Sequence, residues 1–105
     1  MQAMAQVDAA ELERMLSSGQ TELLDVRTDV EVARGMIAGA KHIPLHLLPV
    51  RAAELDPTRP LVIYCLSGAR SAQACAWLGE RGFDSVYNLQ GGVLAWLREG
   101  RGLVE

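Results

Sequence analysis

The feature that most restricts the fold is a run of four apolar residues, LVIY at positions 61–64, which lies between Pro60 and Cys65. The centre of the run is β-branched, and no charged residue interrupts it. A strand that is apolar on both faces must be covered from both sides, as happens in a parallel sheet. The run therefore predicts a buried strand near the middle of a parallel sheet.

Strand and helix patterns alternate along the rest of the chain. Asp8 with Glu11, and Thr28 with Glu31, are spaced as capping boxes, which predict that a helix begins at each pair. The alternation predicts an α/β domain with a mainly parallel central sheet of about five short strands flanked by helices. Individual strands are expected at 22–26, 41–44, 61–64 and 85–89, and helices at 9–18, 28–34, 48–55, 70–81 and from 93.

Length and composition indicate one ordinary globular domain that spans residues 1–105. Half of the residues are hydrophobic and 22% are charged, which is not the composition of a disordered chain. The net charge of −3 argues weakly against nucleic acid or an anionic membrane surface as a partner, because both bind basic patches. No stretch approaches the ~20 apolar residues of a membrane span.

The N-terminus and the cysteine count favour a reducing, cytoplasmic location. Residues 1–6 contain no basic segment followed by an apolar run, so they do not resemble a secretory signal. The two cysteines, Cys65 and Cys75, are fewer than the paired set of a small secreted domain. A chain from which a signal had been removed, or a domain cut from a longer protein, would look the same.

The segment after the buried strand is the best candidate for a functional site. Ligands bind beyond the carboxyl ends of the strands in open α/β sheets, and Cys65 occupies that end of the most hydrophobic strand. Gly68 can adopt a positive φ, and its neighbours Ser67 and Ala69 are small. Such a loop can turn its N–H groups toward one centre beside the next helix N-terminus, which creates an anion-binding nest. A thiolate on Cys65 would lie in that nest.

The nest is expected to lower the pKa of the Cys65 thiol enough to make it a nucleophile. A helix N-terminus stabilises a negative charge by about 0.3–1 kcal/mol, and one pKa unit corresponds to about 1.4 kcal/mol. Converging N–H groups and the cation of Arg70 are expected to lower this pKa further. The alternative is that Cys65 is a buried packing residue, as most free cysteines are. Packing alone, however, requires no loop of this kind.

Three motifs resemble the rhodanese family of sulfurtransferases in its single-domain form. The active-site loop of that family resembles YCLSGARS at residues 64–71. The family often has histidine where Met36 stands, at a position that looks structural. The N-terminal signature of the family resembles LDVR at 24–27, Glu31, GMIAGA at 35–40 and Ile43-Pro44, and its C-terminal signature resembles Gly82-Phe83, Val86, Leu89, Gly91-Gly92 and Ala95-Trp96.

The resemblance implies a single rhodanese-like domain with transferase activity of the thiosulfate sulfurtransferase type, and Cys65 as the catalytic residue. Cys65 would take the outer sulfur of a donor such as thiosulfate, hold it as a persulfide and pass it to cyanide, a small thiol or a protein thiol. The resemblance implies no metal and no organic cofactor. The residues that it implies for substrate binding are Leu66, Ser67, Gly68, Ala69 and Arg70.

Three further residues with charged or reactive side chains are expected to be structural. Asp25 and Arg27 follow another predicted strand and are expected to form an ion pair or a helix-cap network. Cys75 would lie roughly 7–8 Å along its helix from the helix start. A disulfide with Cys65 requires Cα atoms within about 4.4–6.8 Å, so Cys75 is expected to pack in the core.

The two histidines are expected to be ordinary residues. His42 and His46 have the i, i+4 spacing that seats a metal ion on a helix. Pro44 lies between them and disfavours a helix there, and no third ligand is evident in the sequence.

Two other functions remain open from the sequence. A cysteine-dependent phosphatase or arsenate reductase uses a Cys-x5-Arg loop around a tetrahedral oxyanion, which needs seven positions from cysteine to arginine. Here Cys65 and Arg70 span six positions, and Ser71 is the seventh. A non-catalytic module of the same fold would bind a partner instead, but such modules often lack the cysteine.

Overall fold

The computed structural model describes residues 5–105, and residues 1–4, on which part of the prediction about a secretory signal depends, lie outside it. The strands are β1 (Gln6–Val7), β2 (Glu22–Asp25), β3 (Lys41–His42), β4 (Leu61–Tyr64) and β5 (Val86–Leu89). The helices are α1 (Ala9–Ser17), α2 (Asp29–Val32), α3 (Leu48–Arg51), α4 (Ala69–Gly79) and α5 (Gly92–Arg98), with 3-10 turns at Leu45–Leu47 and Ala52–Glu54 beside α3.

The five strands form one sheet in the order β1-β5-β4-β2-β3, and every neighbouring pair is parallel. This confirms the α/β prediction with a parallel sheet of about five short strands. Four strands lie within two residues of their predicted bounds. The edge strand β1 was not predicted individually, because two residues directly before a helix cap show no readable periodicity.

The apolar run of β4 is covered on both faces, as its sequence predicts. Leu61 and Ile63 belong to one core cluster, and Val62 and Tyr64 belong to the cluster on the opposite face. Successive side chains of a strand alternate between faces, so a strand that separates two cores must be apolar throughout. β4 is this strand because it lies between β2 and β5.

Both predicted capping boxes are present. The Asp8 carboxylate accepts from the Glu11 N–H at 2.8 Å, and Thr28 and Glu31 make the equivalent pair of bonds at the start of α2. The second box also fixes the position of the Glu31 side chain, which lies in the first turn of the short helix α2. The longest helix, α4, has 11 residues, and no helix between residues 5 and 105 has the length and apolarity to cross a membrane.

The carboxyl ends of β2 and β4 meet at one edge of the sheet. Asp25 lies opposite Tyr64, and the Val26 N–H donates to the Tyr64 carbonyl at 3.1 Å. The chain leaves β2 toward α2 and leaves β4 through the loop that begins at Cys65. The fold therefore brings Glu31 and the cysteine loop to the same edge.

Candidate active site

The loop between β4 and α4 turns sharply at Gly68. This glycine has a φ of +112°, a left-handed backbone that side-chain-bearing residues rarely adopt. It is the residue directly before α4, so the turn aims the first turn of the helix back at the end of β4. Cys65 lies at that end and is 1% exposed. The thiol is therefore buried against the N-terminus of α4.

The sulfur of Cys65 is surrounded by hydrogen-bond donors. The N–H of Gly68 donates to Sγ at 3.1 Å, and the N–H of Ser71 does so at 3.4 Å. The Ser71 hydroxyl oxygen lies 3.3 Å from Sγ. Burial alone would raise the pKa of Cys65, but the hydroxyl of Ser71 and the N–H groups of Ser71, Gly68 and Ser67 outweigh it. The pKa of Cys65 therefore lies below the ordinary thiol value, because these donors favour the thiolate.

Helix α5 determines which way the loop peptides face. The Val93 N–H donates to the Cys65 carbonyl at 2.9 Å, and the Leu94 N–H donates to the Leu66 carbonyl at 3.1 Å. In a trans peptide the N–H of the next residue points opposite to the carbonyl. Binding of these carbonyls by α5 consequently turns the following N–H groups, including that of Ser67, away from α5.

The close approach of α5 depends on a glycine. Gly92 has a φ of +59°, and a Cβ placed there would lie 2.5 Å from the carbonyl oxygens of both Cys65 and Leu66. No side chain fits at such a distance, so only glycine lets the start of α5 reach the loop carbonyls. The sequence motif contains this glycine, but its contact with the loop is visible only in the structure.

Arg70 is oriented by a partner that the sequence did not reveal. Its guanidinium donates to both carboxylate oxygens of Glu31, at 2.7 and 2.8 Å. Mainly because of Arg70, the pKa of Glu31 is lowered to about 2, against the opposing effect of burial. The predicted direct effect of the Arg70 cation on Cys65 is thus offset by Glu31. The lowered pKa of the thiol comes from its hydrogen-bond donors.

The other predicted substrate-binding residues differ in their positions. Gly68 and Ser67 direct N–H groups toward the sulfur, whereas the side chains of Leu66 and Ala69 are exposed. Ser71 was not predicted as a site residue, although it provides two contacts to Sγ. Its place in the first turn of α4 is the signal that could have found it, because first-turn N–H groups have no partner within the helix.

An apolar groove of about 410 Å³ borders the loop at Leu66. Leu94 and Leu97 of α5 line it, and like Leu66 they are about two-fifths exposed. Glu31 and Val30 of α2 line it as well, and Val30 is largely exposed. The approach to the loop from this direction is therefore mainly apolar.

Asp25 and Arg27 form the predicted ion pair below this edge. Their side chains are almost fully buried, and Arg27 Nη2 donates to the Asp25 carboxylate at 2.7 Å and to the Gly35 carbonyl at 2.8 Å. The pair links the end of β2 to the loop that follows α2. A buried charge that is bonded on several sides in this way holds backbone segments together.

Cys75 and the two histidines make different contacts from Cys65. Cys75 is free, 3% exposed and packed in the core, and burial together with the charge of Cys65 raises its pKa to about 12. His42 Nε2 lies 2.7 Å from the Arg27 carbonyl oxygen, whereas His46 is exposed.

Residues 5–105 contain no group of three or more His, Cys, Asp or Glu side chains arranged to hold a metal ion.

Comparisons with known proteins agree with the resemblance in the sequence. The family model described as "Rhodanese-like domain" matches residues 8–99. The chain is 46% identical over 100 residues to "Sulfurtransferase" of Allochromatium vinosum, with 94% of each chain covered. It is 38% identical over 74 residues to "Thiosulfate sulfurtransferase GlpE" of Stutzerimonas stutzeri, covering 70% of this chain and 68% of that protein. The crystal structure of a rhodanese-related protein from Thermoplasma volcanium has a TM-score of 0.88 at 29% identity, with 95% of this chain and 97% of that chain covered.

Proposed function

Because the chain belongs to the rhodanese-like domain family, we propose that it is a sulfurtransferase that carries sulfane sulfur as a persulfide on Cys65. Thiosulfate is the proposed donor, and cyanide, a small thiol or a protein thiol is the proposed acceptor. The observation that carries the proposal is the set of donors from Gly68 and Ser71 around the buried Cys65 sulfur. These donors favour a thiolate, which is the nucleophilic form of cysteine.

In the first half-reaction the Cys65 thiolate attacks the outer sulfur of thiosulfate. A new S–S bond forms to Sγ, the S–S bond of thiosulfate breaks, and sulfite leaves with the electron pair of that bond. The persulfide keeps one negative charge on its outer sulfur, so no proton, oxidant or reductant is needed. The proposed binding groups for the donor are the loop residues from Leu66 to Ala69 and the guanidinium of Arg70, which attracts the anionic end.

In the second half-reaction a nucleophilic acceptor attacks the outer sulfur of the persulfide. With cyanide, a C–S bond forms, the S–S bond breaks and thiocyanate leaves, while the electron pair returns to Sγ as a thiolate. The two halves are separate, so ping-pong kinetics are expected. We place this cycle in a reducing, cytoplasmic setting, because the Cys65 thiolate must stay unoxidised between turnovers, when it carries no transferred sulfur.

The test is the intact mass of the full chain after incubation with thiosulfate. We expect a gain of one sulfur atom that is lost when cyanide is added, with release of thiocyanate. Cys65→Ser is expected to gain no sulfur, and Cys75→Ser is the matched control that still gains it. If the protein gained sulfur equally in Cys65→Ser, or gained none from thiosulfate or a persulfide donor, the proposal would be wrong, and the second result would favour a non-catalytic binding module.

The same protein samples test the phosphatase alternative. The six positions from Cys65 to Arg70 make a tighter loop than the seven-position ring that encircles a phosphate. We therefore expect no hydrolysis of an aryl phosphate. Hydrolysis that disappears in Cys65→Ser would favour the phosphatase function over sulfur transfer.

A further inference from the structure

Asn88 on β5 is hydrogen-bonded to two residues that also contact the Cys65 sulfur, Gly68 in the loop and Ser71 in the first turn of α4. Its side chain is buried, and its backbone is held between β1 and β4, where it lies opposite Gln6 and Ile63. The amide Nδ2 donates to the Gly68 carbonyl at 3.1 Å, and the amide Oδ1 accepts from the Ser71 hydroxyl at 2.5 Å. Because its backbone is held in the sheet, Asn88 can orient both Gly68 and Ser71, whose groups donate to the sulfur.

The partners of Asn88 determine which way its amide and the Ser71 hydroxyl face. The Gly68 carbonyl can only accept a hydrogen bond, so the NH₂ end of the amide must face it. The oxygen end of the amide then faces Ser71 and accepts the hydroxyl hydrogen. A serine hydroxyl has one hydrogen, so Ser71 cannot donate to the sulfur while it donates to Asn88.

This arrangement suits a neutral sulfur and not a charged one. The Ser71 oxygen lies 3.3 Å from Cys65 Sγ and presents lone pairs to it while its hydrogen points to Asn88. A thiol can donate its S–H to those lone pairs. A thiolate has no hydrogen to donate, so the two electron-rich atoms would repel each other unless the hydroxyl turned.

We propose that the Ser71 hydroxyl is a shared donor, which bonds Asn88 while Cys65 Sγ is neutral and turns to Sγ when that sulfur is charged. Hydrogen bonds to a charged acceptor are roughly twice as strong as those between neutral groups, so the thiolate wins the hydrogen from the amide oxygen. Only the hydrogen moves, because the oxygen already lies within reach of both acceptors.

The shared donor matches the two forms of the proposed sulfur carrier, and in this respect it rests on the proposed function. In the empty enzyme the charge is on Sγ, and the hydroxyl donates to it. In the loaded enzyme Sγ is bonded to the transferred sulfur and the charge lies on that outer atom, so the hydroxyl returns to Asn88. Asn88 acts only through Ser71 and Gly68, and is thus a positioning residue.

Substitutions at Asn88 should shift the pKa of Cys65 in opposite directions. Asn88→Leu removes the competing acceptor, so the thiolate keeps the Ser71 hydroxyl and the pKa falls. Asn88→Asp replaces the amide oxygen by a charged acceptor that holds the hydroxyl more tightly and repels the thiolate, so the pKa rises. Gly68 remains bonded in both variants, because its carbonyl also accepts from the Ala72 N–H at 3.1 Å.

The other charged and titratable groups around Cys65 remain in all variants. Arg70 of α4 interacts electrostatically with the Cys65 thiolate, Glu31 of α2 is paired with Arg70, and Asp25 lies at the end of β2. Cys75 of α4, which also interacts with the Cys65 thiolate, is replaced by serine in every protein that is compared. Since these surroundings are common to the parent chain and the variants, a difference between variants reports the change at the substituted position.

The experiment measures the rate of Cys65 alkylation by iodoacetamide against pH in the full chain carrying Cys75→Ser, with no sulfur donor present. We expect a pKa lower by at least about half a unit, a roughly threefold change in the ionisation constant, in Asn88→Leu. We expect a pKa higher by at least about one unit in Asn88→Asp and in Ser71→Ala. In the Ser71→Ala background Asn88→Leu should have no effect.

Three results would overturn the shared donor: an unchanged or raised pKa in Asn88→Leu, a lowered pKa in Ser71→Ala, or an equal effect of Asn88→Leu with and without the Ser71 hydroxyl. General damage to the loop would move both Asn88 variants toward the ordinary thiol value, so it is distinguished by their opposite signs. Asn88→Ala removes the same acceptor and replaces Asn88→Leu if that variant does not fold. Because alkylation requires no sulfur transfer, these results are independent of whether thiosulfate is the donor.

Discussion

Cys65 and Cys75 lie in the same core cluster and are almost equally buried, yet their thiols are shifted in opposite directions. Burial raises the pKa of Cys75 to about 12, helped by the negative charge of Cys65. Burial acts on Cys65 in the same direction, but hydrogen bonds to its sulfur from the following loop and helix outweigh it. Burial by itself therefore makes a cysteine inert, and donors aimed at the sulfur make it reactive.

The two environments follow from positions relative to one helix. Cys65 precedes α4, where the first N–H groups of the helix have no partner inside it and can face the sulfur. Cys75 lies within α4, where the N–H groups are taken by the helix itself. Ten positions along the chain thus separate a donor-rich sulfur from a donor-poor one.

The largest expected effect comes from exchanging each cysteine for serine. Cys65→Ser should reduce thiocyanate formation from thiosulfate and cyanide to the uncatalysed background, because a hydroxyl does not ionise at neutral pH. Cys75→Ser should keep activity within about twofold and cost about 1 kcal/mol of unfolding free energy, since it buries a hydroxyl. A colorimetric thiocyanate assay and urea denaturation measure both, and loss of activity in a folded Cys75→Ser would break the comparison.

The next largest effect, on stability and on sulfur transfer, is expected at Gly92, the glycine that allows α5 to approach the loop. Gly92→Ala combines a positive φ with a clash against the Cys65 and Leu66 carbonyls, whereas Gly100→Ala has a φ of +82° and no neighbour within 4 Å. We expect Gly100→Ala to cost about 1 kcal/mol and Gly92→Ala at least ~2 kcal/mol, with sulfur transfer slowed roughly tenfold. Urea denaturation and transfer rates check this. Equal costs and unchanged transfer in both variants would show that α5 does not determine the loop.

A smaller effect is expected from replacing Arg70. This substitution separates the contribution of the Arg70 charge to thiosulfate binding from that of the loop N–H groups. Arg70→Ala should raise the KM for thiosulfate about tenfold, because the anionic end of the donor loses its cation. Stability should change by no more than about 1 kcal/mol, since the ion pair with Glu31 is partly exposed. Arg70→Lys is the control that keeps the charge. Unchanged kinetics in Arg70→Ala would mean that the loop N–H groups suffice.

The smallest effect is a pH-dependent contribution of Glu31 to stability. Its pKa is lowered from 4.5 to about 2 in the folded protein, so its stabilising effect is complete above about pH 4.5 and is lost as the pH falls toward 2. We expect Glu31→Gln to be less stable than the wild type by about 1 kcal/mol at pH 7, allowing for partial exposure, and equally stable near pH 2. Urea denaturation at several pH values tests this, and a difference that persists in acid would contradict it.

The parts of the fold that depend on local patterns were predictable. The continuous apolar run specifies β4 and its two covered faces, and the capping pairs specify where α1 and α2 begin. Strand β1 was missed because its two residues owe their conformation to pairing with β5, which is far away in the sequence. Pairing of that kind leaves no periodicity in so short a segment.

The candidate site was predictable only along the loop itself. The strand, Cys65, Gly68 and the following helix are consecutive, so their arrangement follows from strand-end and helix-start rules. The partners that complete it are distant in sequence, because Asn88 is 17 residues from Ser71 and Arg70 is 39 residues from Glu31. Such pairs are created by the order of strands in the sheet, and residue spacing does not reveal them.

The most direct measurement compares the two thiols in one fold. Alkylation rates against pH, with Cys75→Ser to isolate Cys65 and Cys65→Ser to isolate Cys75, give the pKa of each sulfur. We predict that Cys65 titrates below the ~8.5 of a free thiol. Cys75 is expected to resist alkylation well above that value, or until the protein unfolds, because burial raises its pKa even without the charge of Cys65. A Cys65 thiol that ionised no more readily than free cysteine would contradict the donor-based origin of its reactivity.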